Sequence, residues 1–414
     1  MSAADEFYDD LETRDPEQRE AEQMTRLSQQ MAHAKAHSSY FAKAFADLDA
    51  AAINSREALA QLPTVRKSDL ARLQKQDPPL GGLNTVPLKE LSHIFASPGG
   101  IYEPAAPGKD YWRYGRALWA AGVRPGNIVH NTFSYHLVPA GLLVESGCHA
   151  IGCPVIPGGV GNTEQQLQIM ADLKPDFFIG TPSFLRIVLN KARELDIDMS
   201  NLRKGLVGAE ALPPSLRKEI AELGVDVLQG YGTADLGSVA YESKAIDGMI
   251  IDEGVIVEIV EPLGTKPVAE GEVGEVVVTT LNPIYPLVRF ATGDLSAVLP
   301  GASPCGRTNM RIRGWLGRAD QSTKVRGMFV HPGQVGQIAA RHPEITKARL
   351  VITSTDNRDE MTLKVAAEGA DAAITEKIAE TIQAVTKLRG AAEIVDAASL
   401  PDDGLLIEDA RSYE

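Results

Sequence analysis

The chain has 414 residues, too many for one ordinary hydrophobic core, so two or three domains are expected. Hydrophobic residues make up 44 % and charged residues 23 %, the usual balance of a globular protein, which excludes fibrous and disordered classes. The formal net charge of −14 disfavours any partner held by neutralising a phosphate backbone, while leaving open a single nucleotide bound in a local site.

The N-terminal stretch is acidic (Asp5, Glu6, Asp9, Asp10, Glu12) and has no basic start followed by an apolar core. No apolar run approaches the roughly 20 residues of a spanning helix. Residues 5 to 50 read as polar and helical, with Asp15-Pro16-Glu17 as a helix start that puts proline in the first turn. Three cysteines (Cys148, Cys153 and Cys305) cannot build a disulfide framework, which points to a reducing cytoplasm. Cys148 and Cys153 lie in an apolar stretch and read as buried thiols.

The middle of the chain repeats one pattern. Phe177-Phe178-Ile179 runs into Gly180-Thr181-Pro182-Ser183, Leu206-Val207 into Gly208-Ala209-Glu210, and Val225 to Leu228 into Gly230-Tyr231-Gly232-Thr233. Helical patterns at Ser183 to Glu194 and Pro214 to Leu223 separate them. Strand, glycine-bearing loop and helix in repetition predict a parallel sheet with helices packed on it, and a ligand site beyond the carboxyl ends of its strands. From about Gly254 the pattern becomes antiparallel β, with Val255 to Val260 and Gly274 to Thr280 as strands. The last hundred residues predict a small α+β domain of two βαβ-like halves. Its strands are Leu350-Val351-Ile352, Leu363-Lys364-Val365 and Glu393-Ile394-Val395, and its helix, behind an Asp371 cap, carries Ile374, Ile378, Ile382 and Val385. The fold class expected is therefore α/β. It comprises a large N-terminal domain, 1–318, with an antiparallel β subdomain near 254–300, and a small mobile C-terminal domain, 319–414.

A series of short motifs then carries a family resemblance. It begins with Tyr8-Asp9-Asp10-Leu11-Glu12-Thr13-Arg14-Asp15 and continues through Gly208-Ala209-Glu210, Tyr231-Gly232-Thr233-Ala234-Asp235 and Thr292-Gly293-Asp294. Gly317-Arg318-Ala319-Asp320 and Lys324-Val325-Arg326-Gly327 complete it. In order and spacing the chain resembles the phenylacetate–CoA ligase branch of the adenylate-forming superfamily. The resemblance implies a two-step reaction. A carboxylate attacks the α-phosphorus of ATP to give acyl-AMP and pyrophosphate, and the thiol of coenzyme A then displaces AMP, with the small domain rotating between steps. ATP/AMP, coenzyme A and Mg2+ are the cofactors implied.

By the same resemblance Tyr231, followed by Gly232 and Thr233, would stack on adenine. Gly208, Ala209 and Glu210 would line adenine and acyl group, and Asp294 would accept from the ribose hydroxyls. Arg318 would reach ribose or phosphate. Asp235 would stand near magnesium, one methylene shorter than the usual glutamate. Asp320 would be the hinge, and Lys324, Arg326 and Gly327 would enter the site for thioester formation, their charge suiting the phosphates of coenzyme A. Tyr135 and His136 fall where relatives place acyl-pocket residues, though His136 equally suits the edge of the core.

The pattern departs from the family in two places. Relatives carry S-S-G-T-T-G-K-P as a phosphate loop. Here the register gives Ser97-Pro98-Gly99-Gly100-Ile101-Tyr102-Glu103-Pro104, which leaves Ser97 and Gly99 to meet phosphate and puts an acid in place of the lysine. This change is either a trait of one branch or a lesion, and Glu103 would oppose a polyphosphate if turned inward. Relatives also carry a lysine after glycine in a segment D-G-K-x-I-x-D. Here Asp402 to Asp409 places Leu405 at that position, and losing one such donor typically costs about a hundredfold. Cys305 alone cannot hold the zinc that some relatives bind.

The leading expectation is an AMP-forming carboxylate–CoA ligase acting on an aromatic or small substituted carboxylic acid. Two alternatives remain: a degenerate member that binds nucleotide or acyl-adenylate but adenylates poorly, and an adenylating enzyme with an amine acceptor. A small carboxylic acid is the partner expected, without nucleic acid or membrane, and a homodimer is admitted.

Overall fold

The computed structural model describes residues 6–97, 100–319, 321, 323–330, 332–356, 358–367, 372–403 and 405–411. The chain divides into two units, Met1–Leu316 and Gly317–Glu414.

In the larger unit a nine-stranded sheet forms among the described residues. Five strands, Val155–Pro157, Val129–Asn131, Phe177–Gly180, Lys204–Val207 and Asp226–Thr233, pair in parallel in that order. Gly237–Glu242, Met249–Ile251, Arg311–Ile312 and Val298–Leu299 continue the sheet antiparallel. The helices Pro182–Glu194 and Pro214–Glu222 form where the apolar spacing predicted them, each with proline in its first turn. The Thr181 hydroxyl caps the first of these by accepting from the Phe184 amide. Leu185, Val188 and Ile220, all fully buried, pack with Phe178 to seal this side of the sheet.

One expectation is corrected here. Gly230-Tyr231-Gly232-Thr233 is not a loop: the strand runs on to Thr233 and turns back as a hairpin with Gly237–Glu242. The antiparallel partner supplies hydrogen bonds that a parallel neighbour alone could not extend this far. Gly232 permits the close pass, since a Cβ there would lie 2.4 Å from the Gly237 carbonyl oxygen.

A second sheet pairs Val255–Val260, Gly274–Thr280 and Phe290–Ser296 antiparallel, and its last strand takes Val65–Arg66 in parallel. The sequence marked the first two strands but not the N-terminal one. Arg289, fully buried beside this sheet, binds Glu258 at 3.0 Å and donates to the carbonyls of Ala60, Leu62 and Thr265. The helix Pro16–His37 starts at Asp15, whose carboxylate accepts from the Glu17 and Gln18 amides. Cys148, Cys153 and Cys305 are all buried. No helix among the described residues is long and apolar enough to cross a membrane.

The smaller unit corrects a second expectation. Ile345–Thr355 and Arg358–Ala367 form one long antiparallel hairpin, flanked in parallel by Ile407–Asp409 and Ala391–Ile394. Among the described residues, one βαβ unit is made, by Arg358–Ala367, the helix Ala372–Thr386 and Ala391–Ile394. A turn of about two residues between the long strands leaves no room for a crossover helix. The Asp371 cap lies outside the described residues. Val335, Ile338, Leu350, Leu363, Ile378 and Ile382 form the core of this unit.

Candidate active site

The larger unit gathers several predicted residues at the carboxyl ends of its parallel strands. Gly208, Ala209 and Glu210 follow the strand Lys204–Val207. Gly208 passes close to the neighbouring strand, its would-be Cβ 3.0 Å from the Gly230 carbonyl oxygen. Ala209 sits at φ +66, a left-handed conformation that non-glycine residues adopt at a cost and that is frequent at functional sites. Glu210 accepts from the Ser183 hydroxyl at 2.5 Å, and its backbone carbonyl accepts from the Gln229 amide at 3.2 Å.

Tyr231 and Asp294 meet. The phenol donates to Asp294 Oδ2 at 2.9 Å, and the Trp315 indole N–H donates to Oδ1 at 3.1 Å. Thr292, within hydrogen-bond reach of the same phenol at 3.4 Å, also receives the Asp294 amide. The carboxylate is thus fixed from both sides before any ligand arrives. Trp315 was missed in the sequence, where it stands two residues before Gly317-Arg318.

Asp235 occupies the turn after Thr233, and its side chain is wholly buried. Its Oδ2 accepts from Lys67 Nζ at 2.5 Å and from the Thr233 hydroxyl at 3.3 Å. Lys67 was also missed, because nothing around it forms a motif. It follows the short strand Val65–Arg66, which the second sheet brings to this place. Its side chain is 28 % exposed. Burial disfavours its ammonium, yet the charge and hydrogen bond of Asp235, helped by Glu103 and Asp294, hold its pKa above the ordinary lysine value.

The segment in register with the relatives' phosphate loop lies on paired antiparallel strands, His93–Ser97 with Ile101–Ala105. Alternating side chains turn Glu103 inward. It is 2 % exposed and accepts the Ser97 hydroxyl. Burial, and then repulsion from Asp235, push its pKa up to about 7 against the pull of Ser97 and Lys67. Gly99 lies outside the described residues.

Tyr135 is anchored: its hydroxyl donates to Glu145 at 2.6 Å and accepts from the Asn131 amide at 2.8 Å. Burial, followed by the Glu145 hydrogen bond, pushes its pKa far up. His136 is exposed, and its amide donates to Ser134 Oγ.

The remaining predicted residues belong to the smaller unit. Arg318 lies in its first strand, Gly317–Arg318, and Asp320 is outside the described residues. Lys324 belongs to the hairpin Thr323–Val325 and Met328–Val330. The turn residues Arg326 and Gly327 both have positive φ (+47 and +82), as a two-residue hairpin turn matching strand twist requires. The Arg326 guanidinium folds back to donate to the Asp359 and Arg389 carbonyls, so its contacts lie within its own unit. Leu405 is 40 % exposed, and its amide donates to Asp403 Oδ1.

The family model described as an AMP-binding enzyme matches residues 113–282, a span holding Glu210, Tyr231 and Asp235. The phenylacetate–coenzyme A ligase of Escherichia coli is 32 % identical to this chain, over 86 % of it and 84 % of the relative. That of Thermus thermophilus is 30 % identical over 87 % and 84 %. The chain belongs to the phenylacetate–CoA ligase family. Among solved structures, a 2-hydroxyisobutyryl-CoA ligase in complex with its acyl-AMP and CoA matches with a TM-score of 0.84 and 25 % identity, over 97 % of this chain and 92 % of that one. This member of the family is accordingly an adenylate-forming CoA ligase in fold and class.

Proposed function

We propose that this ligase joins an aromatic or small substituted carboxylic acid to coenzyme A through an acyl-adenylate, and that Lys67 supplies the positive charge which Leu405 cannot. The observation that carries this reading is the 2.5 Å pair between the partly exposed Lys67 and the wholly buried Asp235 side chain, within electrostatic reach of Asp294 and Glu103. Tyr231 would offer its ring to adenine, and Asp294, held by Tyr231 and Trp315, would accept the ribose hydroxyls. Gly208, Ala209 and Glu210 would border the acyl group. On this reading Lys67 donates to the oxygens that gain charge as the carboxylate attacks the α-phosphorus and the bond to pyrophosphate breaks. The Asp235 Oδ1, which has no partner among the described residues, suits magnesium, which would neutralise phosphate charge when bound. In the second step the thiolate attacks the acyl carbonyl and AMP leaves, with the smaller unit and its Lys324 hairpin assigned to that step.

The test is pyrophosphate release over a panel of aryl and short branched acids, with and without coenzyme A. Coenzyme A should accelerate AMP release with at least one acid. AMP release that only an amine accelerates would replace thiol transfer by amide formation. A second reading has one observation in its favour: the exposed Leu405 at the lysine position. It describes a protein that holds acyl-adenylate but forms it poorly. Tight AMP binding without ATP–pyrophosphate exchange, with exchange gained in Leu405→Lys, would select it.

A further inference from the structure

We infer that Glu103 and Asp235 together form a divalent-cation site, completed by the phosphates of ATP, in which a metal ion takes the place of the lysine absent from the phosphate hairpin. This deepens the ligase reading and rests on its placing of ATP phosphates near Lys67.

Two buried oxygens point to it. Glu103 is 2 % exposed, and while its Oε1 accepts the Ser97 hydroxyl, its Oε2 has no partner among the described residues. The Asp235 side chain is 0 % exposed, and its Oδ1 is likewise without a partner although Oδ2 has both Lys67 and Thr233. A buried carboxylate oxygen left unsatisfied is costly and rare in native proteins, so each needs an explanation. The two groups repel one another, and both are drawn to Lys67.

The stoichiometry suits magnesium. Among the described residues no group of three or more His, Cys, Asp or Glu side chains is placed to hold a metal by itself. Magnesium characteristically takes one or two carboxylates and completes its octahedron with water and substrate phosphates. A two-carboxylate site therefore binds metal well only when a polyphosphate is present. Glu103, which alone would repel ATP, would serve as a ligand to a bound dication whose charge offsets that repulsion. Ser97, across the hairpin from Ile101, orients the Glu103 carboxylate by donating to its other oxygen.

The experiment uses the full chain with Mn2+ as a paramagnetic stand-in for Mg2+. Free Mn2+ is read by electron paramagnetic resonance with α,β-methylene-ATP saturating, for the unaltered protein and for Glu103→Gln, Glu103→Asp and Asp235→Asn. AMP affinity is measured by calorimetry on each, since AMP lacks the phosphates the metal would bridge. The expected result is Mn2+ binding weakened at least tenfold in Glu103→Gln and Asp235→Asn, and about threefold in Glu103→Asp, with AMP affinity kept within threefold. Mn2+ affinity in Glu103→Gln within twofold of the unaltered protein overturns the site. If Glu103→Gln fails to fold, Glu103→Asp decides, and an unchanged Mn2+ affinity there overturns it equally. Glu103-dependent Mn2+ binding in a protein that makes no acyl-CoA from any acid would leave the site standing and sink the ligase reading. An active ligase indifferent to Glu103 would do the reverse.

Discussion

Replacing Lys67 by methionine keeps the volume of the side chain and removes one charge. The loss can be sized in two ways. A positively charged donor at developing phosphate charge is worth about 3–4 kcal/mol, by analogy with donors of oxyanion holes. Alternatively, one unit charge acting about 7 Å away at an effective dielectric of about 20 gives roughly 2–3 kcal/mol. Together they bracket a fall in ATP–pyrophosphate exchange of about thirty- to a thousandfold. The same change strands Asp235, whose side chain has no exposure, and breaking a buried pair costs about 3–5 kcal/mol of stability. The double variant Lys67→Met/Asp235→Asn separates the two effects, because it removes the stranded charge without restoring the donor. It should melt close to the unaltered protein, bind AMP, and still lack exchange. Thioester formation from supplied acyl-adenylate and coenzyme A should stay within threefold in Lys67→Met, since the α-phosphate bond is already made. Exchange in Lys67→Met within threefold of the unaltered rate, in a folded protein, would refute the assignment of Lys67.

Leu405→Lys should change exchange less than threefold if Lys67 already provides the donor, and its exposed position should shift stability by no more than about 0.5 kcal/mol, read by thermal melting. Trp315→Phe removes a donor that fixes Asp294 and should weaken AMP binding severalfold by calorimetry, about 1 kcal/mol, with Tyr231→Phe having a similar effect. Arg289→Met strands Glu258 and three carbonyls and should destabilise the larger unit by about 3–5 kcal/mol in denaturant unfolding. His130 is fully buried against Gln166, and burial holds its pKa below the ordinary histidine value. The unfolded chain therefore takes up the proton first. Stability should fall as pH drops below about 6.5, a decline that His130→Gln lacks in melting curves across pH 7.5 to 5.

The sequence alone determined much of the scaffold. The alternation of apolar runs, glycine turns and helical spacing placed Phe177–Gly180, Pro182–Glu194 and Pro214–Glu222 to about a residue and the second half of Lys204–Val207, because burial on both faces of a parallel sheet leaves a pattern that is local in the chain. Motif order was enough to indicate the family, and two residues of its separate motifs, Tyr231 and Asp294, meet in a hydrogen bond. What the sequence could not supply were partnerships across long separations. Lys67 reaches Asp235 over 168 positions because Val65–Arg66 joins Phe290–Ser296, and a two-residue strand has no periodicity to reveal it. The inward turn of Glu103 depends on the hairpin register, which a loop reading could not fix. The Tyr231 strand runs past its expected end only because Gly237–Glu242 folds back on it, and one of the two βαβ halves expected in the small unit is instead an antiparallel hairpin, because a short turn sets its pairing direction. Local propensity and burial are written along the chain. The choice of which buried charge meets which is made only when distant strands close, since that is where desolvation forces each charge to find a partner.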